Sequence, residues 1–112
     1  MGPKLPADPL TFIQDCLRGR RILWTYHVNM RLAGRFIARD EILGAVDRFE
    51  IIESYPTDKY LPSYLLLAPP PGSVFHVLIA SDVDGNNVRI VTAYRPDPEE
   101  WEEDLRTRRK TK

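Results

Sequence analysis

The sequence predicts an α+β domain, with N-terminal helices packed on one face of an antiparallel four-stranded sheet and a short helix at the C-terminus. Three observations carry that prediction. Apolar residues recur at helical spacing as far as about Val46, and the period changes to that of strands from Phe49 on. Prolines and glycines cut the second half into four short runs rich in β-branched and aromatic residues. With 112 residues, 43% apolar and 29% charged, the chain fits one domain with one modest core.

The elements follow in order. Leu10 to Leu17 sets Phe12, Ile13, Cys16 and Leu17 at helical spacing after the start signal Asp8-Pro9, and Gly19 ends that helix. Tyr26 to about Gly34 predicts a second helix, with Tyr26, Met30 and Ala33 as its core stripe. Arg39 to Val46 predicts a third, with Ile42, Leu43 and Val46 inward and Asp40 and Glu41 in the first turn, where the helix dipole favours acids. Strands are expected at FEIIES (Phe49 to Ser54), SYLLLA (Ser63 to Ala68), VFHVLIAS (Val74 to Ser81) and VRIVTAY (Val88 to Tyr94). YPTDKYLP and PPPG break the chain between the first three, and Asp84-Gly85 signals a hairpin before the fourth. EEWEEDLRTRR predicts the C-terminal helix, with Trp101 and Leu105 on one side. Residues 1–7 are expected to be a flexible N-terminus, 8–105 the domain, and 106–112 a basic tail.

The formal net charge of zero conceals segregation. Cys16 to Arg39 holds six arginines and no acid; Asp40 to Asp58 holds six acids against Arg48. Asp97 to Asp104 packs six acids, and Leu105 to Lys112 then packs five bases. Overall balance argues against strong non-specific duplex binding, while the blocks allow a local basic patch facing an anion. The single Cys16 excludes an internal disulfide and a cysteine-cluster zinc site, and reads as a small buried hydrophobe. The two histidines lack HxxxH or HExxH spacing, so neither a metal nor a cofactor is expected. Asp82 to Asn87 lacks the closing glutamate of a calcium loop and reads as a hairpin turn. No apolar run approaches the ~20 residues of a membrane span. MGPKLPADPL lacks a signal peptide's apolar stretch, so a cytoplasmic protein is expected.

Two histidines are the candidates for chemistry. His27 and Arg31 lie four apart on the second predicted helix and so share a face. A neutral imidazole there can accept a proton while the guanidinium holds a phosphate through paired donors. By itself that spacing is common, and a surface role fits it as well. His76 sits inside the apolar run VFHVLIAS, where a lone histidine is usually buried and satisfied by a backbone partner. The hairpin decides its neighbours. An odd loop count puts His76 on one face with Ile90, Thr92 and Tyr94; an even count puts it with Arg89, Val91 and Ala93. A three-residue loop with glycine in the left-handed position favours the odd case.

HVNMRLAGRFIARDEILGAV, EIIESYP, PSYLLL, HVLIA, IVTAYRPD and W-x6-RRK follow one another in the order and spacing of the bacterial family called domain of unknown function 4258, which the chain resembles over about Ile22 to Lys110. That family looks like small ribonuclease toxins of the RelE and barnase/colicin type. The resemblance implies helices on a curved sheet. It also implies a partner antitoxin carrying a zinc-finger and helix-turn-helix region. The family's recurrent polar positions fall here on His27, Arg31, Arg35, His76, Thr92 and Tyr94. Ala38 departs from the Ser or Thr that family members often carry before the third helix.

Cleavage of RNA without a metal needs a base for the ribose 2′-hydroxyl, cations for the phosphorane charge, and an acid for the leaving oxygen. His27 and His76 are expected as the proton-transfer pair, each worth roughly 10²–10⁴-fold in rate. Arg31 and Arg35 would supply charge, Lys59 would grip a flanking phosphate, and Tyr94 or Tyr60 would stack on an unpaired base. For Lys59 and Tyr60, plain surface-loop roles compete with this reading. The expectation is therefore an endoribonuclease toxin acting on RNA, with the two imidazoles converging on one cationic hollow. The competing expectation is a non-catalytic protein-binding module, in which they stay apart.

Overall fold

The computed structural model of the protein describes residues 4–110. Its elements are α1 (Pro9–Arg18), β1 (Ile22–Trp24), α2 (Tyr26–Gly34), α3 (Arg39–Gly44), a single 3-10 turn (Val46–Arg48), β2 (Glu50–Tyr55), β3 (Ser63–Ala68), β4 (Phe75–Asp82) and β5 (Asn87–Tyr94). They form a mixed α+β domain. The sheet has five strands rather than the expected four, in the order β1-β5-β4-β3-β2. The addition is β1, which pairs in parallel with Val88 to Ile90 of β5. Three residues are too few to show a strand period, so β1 carries no readable signal.

Local chemistry sets the helix ends. Asp8 caps α1, its carboxylate accepting from the Thr11 amide and hydroxyl, and Pro9 fills the first turn where no amide is needed. Thr25 caps α2 by accepting from the Val28 amide at 3.1 Å. Ala38 has the extended backbone of a cap but no side-chain oxygen, so α3 keeps only the return half of a capping box, Glu41 accepting from the Ala38 amide at 3.0 Å.

The sheet sorts its side chains by alternation. Leu66, Phe75, Val77, Ile79, Val88 and Ile90 face the helices and meet Ile13, Leu17, Val28, Leu32 and Ile42 in one core. On α2 the buried residues are therefore Val28 and Leu32. The expected stripe of Tyr26, Met30 and Ala33 points outward instead. Cys16 is fully buried in the same core, and burial pushes its thiol pKa up, as fits a packing residue.

The second sheet face carries Leu65, Leu67 and His76, and the C-terminal segment covers His76. No helix forms there. Asp97 to Glu100 makes a turn, and the amides of Glu102 and Arg109 then pair with the carbonyls of Thr107 and Glu100 around a Trp101–Arg108 bridge. Asp104 accepts from the amides of Arg106 and Thr107 and from the Thr107 hydroxyl, and that side-chain-to-backbone competition breaks a helix. Arg106 and Arg108 of the expected basic tail are bound to Glu50 and Glu53 on β2 at 2.7 Å. At the ends of the chain, residues 1–3 and 111–112 of the expected flexible and basic segments lie outside the described residues, whereas Pro6 is buried.

Candidate functional site

The hairpin between β4 and β5 has an even loop, Val83 to Asn86, with Asp82 opposite Asn87. Asn86, at a φ of +56°, takes the left-handed position expected of glycine. An even loop alone would turn Thr92 and Tyr94 away from His76. A bulge at Val91 intervenes, where the register jumps from Ile79–Ile90 to Leu78–Thr92. The extra residue reverses the alternation, so His76 stands opposite Tyr94 and Leu78 opposite Thr92. Ile90, expected on that face, belongs to the core.

The bulge does not expose His76. The ring is fully buried, 4.4 Å from the Trp101 ring and 5.3 Å from that of Tyr94, edge to face with both. Nε2 lies 2.8 Å from the Leu105 carbonyl, which can only accept, so Nε2 carries the hydrogen. Nδ1 then accepts from the Tyr94 hydroxyl at 3.3 Å. Burial pushes the imidazole pKa below its ordinary value; the Leu105 bond opposes this without reversing it. Tyr94 is pushed up by burial as well.

His27 has the opposite surroundings. It and Arg31 are exposed on α2 and line a cleft of about 490 Å³ with Thr25, Tyr60 of the β2–β3 loop and Arg89 of β5. Tyr60 is 76% exposed, and the Lys59 ammonium sits 5.2 Å from its ring centre. Asp58 is the one carboxylate in the lining, and its oxygens accept from the Lys59 amide at 2.9 Å and the Ser63 hydroxyl at 2.8 Å. Asp58 also borders a second cleft of about 380 Å³, with Tyr55, Thr92, Tyr94 and Arg108 around Leu65 and Leu78.

Of the residues expected to act, the first cleft thus gathers His27, Arg31 and Tyr60, with Lys59 beside it, and the second gathers Thr92 and Tyr94. The structure does not bring His76 to His27: it lines neither cleft and is sealed under the C-terminal segment. Arg35, expected to contact RNA, is exposed and lines neither cleft. Its Nη1 donates to Thr92 Oγ1 at 2.9 Å and to the Ala93 carbonyl at 2.8 Å, tying the end of α2 to the unpaired edge of β5.

Four residues around these clefts were not anticipated: Arg108, Glu53, Tyr55 and Arg89. Arg108 grips Glu53 at 2.7 and 3.1 Å and lies 4.6 Å from the Trp101 ring centre, while the Tyr55 hydroxyl donates to Glu53. Burial alone would raise the Glu53 carboxyl, but the Arg108 and Tyr55 bonds together hold it below the usual range. The signal was present in the acidic block before Asp58 and the basic block after Leu105, whose opposite charges meet here across the sheet. Arg89, the second cation of the larger cleft, was hidden in an alternating strand. Among the described residues, no group of three or more His, Cys, Asp and Glu side chains is placed to hold a metal ion, and no helix is long and apolar enough to cross a membrane.

These features define a small α+β domain with an open cleft lined by an imidazole, two guanidiniums and an exposed aromatic ring. The chain belongs to the family described as "Domain of unknown function (DUF4258)", whose match covers residues 24–95, from the end of β1 to just past β5. No curated protein and no solved structure matches it.

Proposed function

We propose that the protein is a metal-independent endoribonuclease, the toxin half of a toxin–antitoxin pair, and that the larger cleft binds single-stranded RNA. The observation that supports this is the grouping of His27, Arg31, Arg89 and Tyr60 around one exposed hollow. Exposed bases stack on aromatic rings, and phosphates take paired donors from arginine. His27 is the only imidazole in the cleft, so it takes the proton of the ribose 2′-hydroxyl. The 2′-oxygen then attacks phosphorus and the bond to the 5′-oxygen breaks. Water in the open cleft protonates the leaving oxygen. Arg31 and Arg89 offset the charge that builds on the phosphorane oxygens. His76 takes no proton in this scheme. It is a positioning residue that fixes Tyr94 at the neighbouring cleft.

The test is cleavage of labelled single-stranded RNA by purified protein in the presence of a chelator. Expected are fragments ending in 2′,3′-cyclic phosphate, lost when the RNA is replaced by DNA. His27→Ala lowers the rate by about 100-fold or more, the scale of one general base. No cleavage by the wild type, or cleavage untouched by His27→Ala and Arg31→Ala, overturns the reading. RNA binding without cleavage leaves the protein as a binding module.

A further inference from the structure

A carboxylate repels phosphate, yet Asp58 stands in the wall of both clefts. It is the one carboxylate lining the first, with Arg31 and Arg89, and the one lining the second, where Arg108 is already bound to Glu53. Among the described residues no cation pairs with it. Arg89 turns to Asp82 at 3.5 Å, outside both linings, and the Lys59 ammonium lies over the Tyr60 ring. Two neutral donors hold Asp58 instead, one on each oxygen. The Lys59 amide donates to Oδ1 at 2.9 Å, and the hydroxyl of Ser63, buried at the start of β3, donates to Oδ2 at 2.8 Å. Ser63 shares a cross-strand row with Ala80 and Arg89, so the carboxylate it orients and the Arg89 guanidinium flank one strip of the sheet. An ionised carboxylate accepts at about four sites and donates at none. Each Asp58 oxygen therefore keeps an acceptor site free, and the two free sites lie side by side.

We infer that Asp58 reads the Watson–Crick edge of a guanine in the RNA held by the larger cleft. The inference rests on the RNA reading and names the residue that gives it a sequence preference. The lining itself selects the ligand. Asp58 repels a phosphate, and Arg31 and Arg89 repel a guanidinium or ammonium from a partner protein. What fits carries negative charge for the arginines and uncharged N–H donors for Asp58, and a nucleotide carries both. Among the bases of RNA, only guanine has two adjacent N–H donors on that edge, at N1 and N2, to meet two adjacent oxygens. Adenine and cytosine present an amino group beside a bare ring nitrogen, and uracil presents one N–H between two carbonyls. Each of these sets an acceptor against an acceptor, and a site built for hydrogen bonds rejects an unmatched edge strongly. Tyr60, two residues on and exposed in the same cleft, offers a ring on which the base can stack.

The probes are short labelled oligouridines, 2′-O-methylated so that no 2′-hydroxyl is available for cleavage, with guanine, inosine, adenine, cytosine or uracil at the centre. Fluorescence anisotropy reads their binding. The guanine oligonucleotide should bind about tenfold or more tighter than the adenine, cytosine and uracil ones, the scale of one bidentate base contact. Inosine lacks the N2 amino group and should lose most of that gain. Asp58→Asn exchanges one acceptor for a donor and can still bond the Lys59 amide and the Ser63 hydroxyl. It should abolish the guanine preference, leave the uracil oligonucleotide bound and leave melting unchanged. Equal binding of all the oligonucleotides by the wild type, inosine bound as tightly as guanine, or a guanine preference that survives in Asp58→Asn would each overturn the inference and leave RNA binding at the cleft standing. Failure of every oligonucleotide to bind would overturn the RNA reading, and this inference with it. Guanosine monophosphate serves as the free-nucleotide comparator; if it binds as tightly as the guanine oligonucleotide, the contact belongs to a free nucleotide and the RNA source is overturned. Cleavage is not read, so a guanine preference without nuclease activity would uphold this inference while the nuclease reading fails.

Discussion

His27 and His76 carry the same side chain, and their surroundings decide what each substitution does. His76 is enclosed by Tyr94 on β5 and by Trp101 and Leu105 of the C-terminal segment, with Glu53 and Arg108 as the nearest charges. Replacing it with alanine leaves the Leu105 carbonyl without a donor and opens a hole, so His76→Ala should cost about 2–4 kcal/mol in urea unfolding. His27→Ala, on an exposed face, should cost less than about 0.5 kcal/mol. The pH dependence follows from the depressed pKa of the buried ring. An unfolded histidine titrates near about 6.5; the folded one resists protonation. The unfolded chain therefore binds more protons between the two values. His76 stabilises fully above about pH 6.5, and that share is lost as pH falls toward the folded pKa. Glu41, Glu50 and Glu53, all held below the usual carboxylate value, lose theirs at lower pH. Melting temperature should therefore drop between about pH 7 and 5.5 in the wild type and hardly change in His76→Phe; parallel curves for the two proteins would refute the assignment.

At the scale of elements, legibility followed the length and uniqueness of each signal. α1 and the four longer strands could be read because their apolar periods run for six residues or more between clear breakers. α2 was placed correctly but turned the wrong way, since Tyr26/Met30 and Val28/Leu32 are both apolar pairs four apart and sequence alone does not rank them. The C-terminal segment was misread because Asp104 and a left-handed Leu105, at a φ of +64°, create turns that outweigh the local apolar spacing. Of the site, His27 and Arg31 were visible because their relation is local to one helix. The exclusion of His76 was not, because it depends on a chain that returns 29 residues later to cap it. Ala38 offers a test of element chemistry. Its backbone already has cap geometry and Glu41 already returns a bond, so Ala38→Ser should complete the capping box. The gain should be about 0.5–2 kcal/mol, seen as a higher melting temperature with unchanged circular dichroism. No gain would mean that Arg95 and Ser73, which also hold Glu41, already fix the start of α3.

For the whole molecule, the zero net charge and its blockwise arrangement act together. At a distance the acidic and basic blocks offset each other, so long-range attraction to nucleic acid is weak. Within a Debye length of about 8 Å, the cleft presents Arg31 and Arg89 with Lys59 at its margin, and a strand lying there meets three cations. Single-stranded binding weakens with salt by roughly 0.7 log units per phosphate neutralised, so three contacts give a slope of about −2. Fluorescence anisotropy of a labelled single-stranded RNA, titrated with potassium chloride, measures it. Arg31→Ala should flatten the slope to about −1.4, whereas removing a cation outside the cleft, as in Arg20→Ala, should leave it near −2. A wild-type slope near zero would mean the cleft does not hold phosphate. A slope of about −4 or steeper, with Arg20→Ala flattening it as much as Arg31→Ala, would mean the whole basic stretch from Cys16 to Arg39 binds as one surface. In that case the cleft reading would have to yield.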